Sequence, residues 1–220
     1  MACGVSGPDH VWSCDFPDYA KDAAERFFAG VAAVHVATEL RFRDDLRADQ
    51  SRNAVVATVG YALSSKLLLQ ASVGVAFAGE LEFASRTYEF DPGPTFAAGV
   101  AYRLLEGDLF LSLTGIASGT LASTEFPGGG ETASYSAFDL RLGAVFGVTL
   151  FEVLRPYLVA RAFGGPVFFR YRGEDVTGTD AYHVQLGAGV ALSIVELLTV
   201  FVEGVPLGEQ ALSAGVTVAF

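Results

Sequence analysis

The sequence predicts an all-β fold, a transmembrane antiparallel up-and-down β-barrel of about ten strands, with eight or twelve as the alternatives, and three observations carry that expectation. The last ten residues alternate strictly. Leu212, Ala214, Val216, Val218 and Phe220 fall on one side of a strand, and Ala211, Ser213, Gly215, Thr217 and Ala219 on the other. The same rhythm recurs along the chain in segments of about ten residues, the length that crosses a bilayer as a tilted strand. Composition agrees: 51% of the 220 residues are hydrophobic, only 18% are charged, 25 are glycine, and the mean hydropathy is +0.41. Such a surface suits lipid better than water.

Membrane helices are the competing class, and residues 54–79 and 184–205 are apolar enough to suggest them. Period decides against it. His183, Gln185, Gly187, Gly189, Ala191 and Ser193 alternate with Tyr182, Val184, Leu186, Ala188, Val190 and Leu192. On a helix the polar set would spread around the cylinder, whereas on a strand it shares one face.

Taken in order, residues 1–27 form a more polar N-terminal segment without the basic patch and apolar run of a secretory leader. Residues 18–28 could form a short amphipathic helix serving as a plug, a cap or an interfacial anchor, and a leader remnant is an equal alternative. Cys3 and Cys14 are the only cysteines. An oxidising compartment would allow them to pair, and a lipid-modified Cys3 is the alternative. The barrel occupies residues 28–220, with strands expected over 29–43, 52–63, 67–83, 95–105, 109–121, 135–150, 156–170, 181–193, 198–204 and 211–220. Short connections (64–66, 106–108, 151–155, 194–197) alternate with longer polar ones (44–51, 84–94, 122–134, 171–180). The final connection, 205–210, is short and breaks the trend.

Charged residues opposing the oily stripe are expected in the lumen: Glu39, Arg41 and Arg43 on the first strand, Glu80 and Glu82 on the third, Arg103 on the fourth, Asp139 and Arg141 on the sixth, Arg161 on the seventh and Glu203 on the ninth. An Arg facing lipid at mid-membrane costs about 2–4 kcal/mol, which favours the register that turns all of them inward. Their acids and arginines balance, leaving the net charge of −11 to loops, turns and the N-terminal segment. At residues 164–166, Gly-Gly-Pro predicts a bulge that returns Val167, Phe169 and Tyr171 to the lipid side. Inward Gly74, Gly99, Gly143, Gly187 and Gly189 are expected to make local space.

The chain end resembles the assembly signal of Gram-negative outer-membrane β-barrel proteins: Ser213, Gly215, Val218 and Phe220 occupy its polar, glycine, hydrophobic and terminal aromatic places. The likeness extends over residues 29–220 to small barrels of the OmpA, OmpW and opacity-protein kind, as a likeness of architecture. It implies a bacterial outer-membrane location, recognition by the barrel-insertion machinery, and a last strand that closes on the first. Short turns then face the periplasm and long loops the exterior. Outer-membrane lipid is the implied surrounding, and another envelope protein or an extracellular ligand is the remaining kind of partner.

No enzyme is expected. Omptin proteases carry paired aspartates facing an aspartate and a histidine, but adjacent Asp44 and Asp45 cannot both face the lumen, and Asp180 and His183 fall on opposite faces of a continuous strand. The lipid-modifying barrel enzymes pair histidine with serine, and neither His35 nor His183 is followed by serine at x+2. Both histidines are expected to hydrogen-bond inside the lumen. No metal or cofactor is expected from three histidines and two N-terminal cysteines, and Gly128–Gly130 lacks the lysine and helix of a phosphate loop. The acidic balance argues against nucleic acid. The expected role is a narrow barrel filled by its own charges that acts as an anchor or surface-recognition protein through its outer loops. Its alternatives are a narrow passive or gated pore for small polar solutes, a subunit of a larger envelope complex, and an omptin-like or lipid-modifying enzyme.

Overall fold

A computed structural model describes residues 3–4, 13–14, 27–42, 46–83, 86–125, 132–171, 174–195 and 197–220. Two short N-terminal strands, β1 (Cys3–Gly4) and β2 (Ser13–Cys14), pair antiparallel with Cys3 opposite Cys14 in register. The wall contains β3 (Phe27–Phe42), β4 (Arg47–Ala62), β5 (Leu67–Phe83), β6 (Arg86–Phe90), β7 (Gly93–Leu105), β8 (Leu109–Glu125), β9 (Thr132–Val148), β10 (Leu154–Gly164), β11 (Val167–Tyr171), β12 (Glu174–Asp180), β13 (Val184–Val195), β14 (Leu198–Leu207) and β15 (Gln210–Ala219). Because β6 runs on into β7, β10 into β11 and β12 into β13, these make ten wall strands. The last strand closes on the first, with Gln210 opposite Ala37 and Ala219 opposite Phe28.

Strand count and order match the sequence expectation, but the strands are longer. β3 and β4 each have 16 residues and β5, β8 and β9 each have 17, against the nine to eleven that span hydrocarbon. Much of what reads as outer loop, including residues 47–51, 86–90 and 174–180, is strand instead. The expected helix over 18–28 lies mostly outside the described residues, and its last two positions, Phe27 and Phe28, begin β3.

Outward positions of the lower wall are apolar, as alternation requires. Leu158, Leu142, Val59, Val73, Leu212 and Phe220 are all exposed. On the inward side, aromatic rings lie across facing glycines: Phe28 over Gly60, Phe110 over Gly147, Tyr157 over Gly189 and Phe201 over Gly215. These glycines therefore do not leave open space; each is a recess already filled by a neighbouring ring, which links glycine content to the tight wall. Gly143 is likewise covered, by the Arg161 stem and Thr114. The inner turn between β9 and β10 places Phe151 and Glu152 at φ 53° and 62°, the left-handed pair that suits the twist of a tight hairpin.

Two local irregularities decide which side chains enter the lumen. In β5, Ala78 has φ 47° and the β4–β5 register slips between Ser51 and Asn53, so inward parity changes from Ser72 and Ala76 to Leu81 and Phe83. This bulge, absent from the sequence expectation, turns Glu80 and Glu82 outward. Conversely, the break at residues 164–166 keeps parity. Val167 and Phe169 are buried with Phe163, contrary to the expected return to lipid, and the Tyr171 side chain lies outside the described residues.

Candidate functional site

The inner face of the barrel is the part of the molecule with chemistry to examine, and it is layered. At the end of the short turns lie the ring and glycine pairs, together with buried Arg103 and Arg155 and a hydroxyl contact of 2.8 Å between Thr58 and Ser72. Above them is an ionic layer. Arg161 donates through Nη2 to Glu203 Oε1 at 3.0 Å, with both side chains fully buried. Arg141 pairs with Asp139 on its own strand, donates to Glu209 Oε2 at 2.8 Å, and sets its guanidinium 4.6 Å from the Phe163 ring centroid. Arginine suits this place because its planar fork engages carboxylates and a ring face together.

Glu209 enters this layer because the β14–β15 hairpin is short. Its tip turns at Gly208, where φ is 86° and a Cβ would strike the Val184 carbonyl, and the carboxylate of the next residue is directed into the lumen toward Arg141 on β9. Gln185 also reaches toward the tip, with its Nε2 3.5 Å from the Glu209 carbonyl.

The third layer, toward the end with the longer connections, is aromatic. Phe42, Phe83, Tyr88 and Phe169 meet edge to face, with centroids 5.1 Å apart for Phe42 and Phe83, 6.0 Å for Phe83 and Phe169, and 5.4 Å for Tyr88 and Phe169. Phe90 and Tyr135 add a pair at 4.9 Å, and the Tyr135 hydroxyl donates to Gln50 Oε1 at 2.9 Å. Leu40, Leu81 and Val167 complete the cluster, which draws on strands from around the ring. Each aromatic pair contributes about 0.5–1.5 kcal/mol beyond its buried area. Between the ionic and aromatic layers is a cavity of about 20 Å³, bordered by Arg52, Tyr135, Arg141, Asp180 and Glu209, room for about one water.

Of the charges expected inside, Arg103, Asp139, Arg141, Arg161 and Glu203 are there. Glu39, Arg41, Glu80 and Glu82 are not, and Arg43 lies outside the described residues. On β3 the inward residues are Val34, Val36, Leu40 and Phe42, so Glu39 and Arg41 share the outer face with Val31 and Ala33. The physical reason is strand length. These positions stand beyond the apolar belt, where an outward charge meets water and the lipid penalty vanishes. Arg47 donates to Glu39 there at 2.6 Å, and Arg170 holds Asp175 at 2.9 Å. Hydrogen bonding and charge from Arg170 keep the Asp175 carboxyl below its ordinary range.

His35 is also outside the lumen, with Nδ1 3.0 Å from Asn53 Oδ1, while Asn53 Nδ2 donates to the Ala78 carbonyl at 3.1 Å. His183 is exposed beside Gly164, 3.3 Å from the Phe163 carbonyl, and Asp180 is buried. Asp44, Asp45, Gly128, Gly129 and Gly130, and the side chains of Cys3 and Cys14, lie outside the described residues. Sequence reading missed Glu209, Arg52 and Arg155 inside. Arg52 shares parity with Ala54 and Val56, a usable signal. Glu209 offers only its place beside a turn glycine. At the chain end, Ser213 is buried, Gly215 is half-buried, and Val218 and Phe220 are exposed. Phe27 and Phe220 exchange backbone hydrogen bonds of 3.2 and 2.9 Å, sealing the ring at its lower edge.

A closed antiparallel ring with an apolar outer belt and a polar, packed interior defines the chain as a membrane-spanning β-barrel. Its fold is that of the bacterial outer-membrane barrels. The chain is similar to the outer-membrane protease OmpT of Escherichia coli at a TM-score of 0.60 and 10% identity, covering 90% of this chain and 98% of that one. It is also similar to the translocator domain of the autotransporter NalP of Neisseria meningitidis (TM-score 0.52, 12% identity, 92% and 91% covered). The transport unit of the autotransporter AIDA-I of Escherichia coli gives a TM-score of 0.52 and 12% identity, with 94% and 93% covered. No protein-family model matches the chain, and no curated protein matches it in sequence.

Proposed function

We propose that this outer-membrane barrel is closed along its axis by its own side chains and works at its surface, as an anchor or a recognition protein, without catalysing a reaction. The aromatic layer carries the reading. Rings from β3, β5, β6 and β11 meet in the lumen, directly above arginine–carboxylate pairs that tie β9 and β10 to β14 and the β14–β15 hairpin. A cavity of about 20 Å³ between the two layers supports closure over a permanent pore. Support for a non-catalytic role is the separation of buried Asp180 from exposed His183.

The deciding experiment is electrical. The purified barrel reconstituted in a planar bilayer should give no stable unitary current, and Phe83→Ala with Phe169→Ala should introduce conductance in a protein that still migrates as a folded, heat-modifiable band. Steady current in the unmodified protein would replace closure with the narrow pore. For recognition, shortening the connection between β8 and β9 should abolish partner capture while leaving heat-modifiability intact.

A further inference from the structure

The outer wall is interrupted beside the tip of the β14–β15 hairpin. These strands stop at Leu207 and start again at Gln210, whereas β12 and β3 continue past them and pair directly above the tip, Gly178 with Phe42 and Asp180 with Leu40. Below that junction the β13–β14 register slips between Leu186 and Ala188. The outward face opens there into an apolar recess of about 750 Å³, bordered by Leu186, Ala188, Val205, Leu207 and Leu212. Gly204 also borders it, and a Cβ added there would meet no atom within 4 Å.

The recess sits at the upper edge of the lipid-facing belt. On the neighbouring strands the belt runs through Val31, Val55, Val59, Val73, Val75 and Phe77, and stops at the row His35, Asn53 and Ala78. His35 and Gln210 mark its upper rim, and below them the lining around Leu186, Gly204, Leu207 and Leu212 is apolar and suits a hydrocarbon tail. It adjoins a second groove of about 440 Å³, sharing Ala37 and Gln210 with it. That upper groove is acidic. Glu39, Asp49 and Glu82 stand opposite one another across three strands, with Glu80 on the next row, and Arg47 at the edge donates to Glu39, so the described residues leave the groove with an excess of carboxylates. An anionic headgroup above the recess would face Asp49, Glu80 and Glu82 beside the Arg47–Glu39 pair, a net negative rim, whereas a cationic one would be attracted to it.

We infer that this trough binds a single-chain amphiphile with a cationic head, its tail in the recess around Gly204 and its head against Glu39, Asp49, Glu80 and Glu82. The inference rests on the wall alone and stands whether or not the lumen conducts.

The test uses the full chain in phosphatidylcholine vesicles with two diazirine-tailed probes, dodecyltrimethylammonium and dodecyl phosphate. The ammonium probe should label peptides carrying Leu186, Gly204 and Leu212 saturably, and about fivefold more strongly than the phosphate probe, the order expected for one or two exposed charge contacts. Gly204→Leu, which the open space accommodates, should remove that label while labelling of the belt around Leu142 and Leu158 persists. Glu80→Gln with Glu82→Gln should bring the two probes toward parity and leave tail labelling in place. Uniform, unsaturable labelling around the belt would overturn the site. Equal or stronger labelling by the phosphate probe, with or without magnesium, would overturn the cationic head.

Discussion

Below the His35, Asn53 and Ala78 row, the barrel turns apolar side chains outward and keeps its ion pairs inside, beside the rings seated on glycines; above that row the outer face changes, with Glu80 and Glu82 outside while Phe83 and Phe169 fill the lumen. One two-residue rhythm serves both regions. What differs is the outer solvent. Against hydrocarbon, a charge must turn inward. Against water the same charge is free to face out, and Phe42, Phe83 and Phe169 fill the lumen at that height. Alternation therefore reports that two faces differ, and only the depth of a residue tells which face is which.

The largest effect that would sharpen this contrast lies in the ionic layer. Arg161→Ala strands the Glu203 carboxylate in a fully buried place and should cost about 3–5 kcal/mol in urea unfolding from detergent, with much of the loss recovered when Glu203→Leu is added. An unchanged midpoint for the single variant would mean that the pair is not buried as described.

Next in size is one change made in both regions. Leu158→Arg, on the lower outer face, should cost about 2–4 kcal/mol, whereas Glu82→Arg on the upper outer face should stay within about 0.5 kcal/mol. Equal costs would erase the distinction between the regions. Smaller again is Gly189→Ala, whose methyl would enter the Tyr157 ring. Overpacking there should cost about 1–3 kcal/mol, and Tyr157→Leu in the same chain should relieve part of it.

Least of all is the exposed Arg170 and Asp175 pair. Because the Asp175 carboxyl is held below its ordinary value in the folded protein, its contribution is present above the unfolded aspartate pKa and fades as pH falls through the depressed folded one. Asp175→Asn should flatten that limb of the stability profile slightly, by an amount near the detection limit of a pH-resolved melt.

The same contrast explains what was legible in the sequence. The alternation of residues 211–220 and 182–192 placed both strands on the correct face, because each lies largely within the belt and its polar side is small or amide-bearing. Ten strands followed from repeat length and turn spacing. The first strand is inverted along its length, since even positions from Phe28 to Phe42 face inward without a break, and the third only above Ala78; in both, the lipid penalty applied to Glu39, Arg41, Glu80 and Glu82 chose the wrong face. Ala78 compounded the error. A bulge at alanine carries no turn residue to announce it, whereas the Gly-Gly-Pro at 164–166 suggests one that is absent, since Gly164 opposite Leu140 and Val167 opposite Ala137 keep a single register. The aromatic layer remained hidden because it joins residues up to 127 positions apart, Phe42 and Phe169 among them, which only closure of the ring brings together.

The most direct test of the reversal is a single-cysteine scan of residues 80–83 in whole cells, in a background carrying Cys3→Ser and Cys14→Ser, using a membrane-impermeant maleimide. The account predicts rapid labelling of Glu80→Cys and Glu82→Cys and none of Leu81→Cys or Phe83→Cys. Rapid labelling at positions 81 and 83 with protection at 80 and 82 would contradict it.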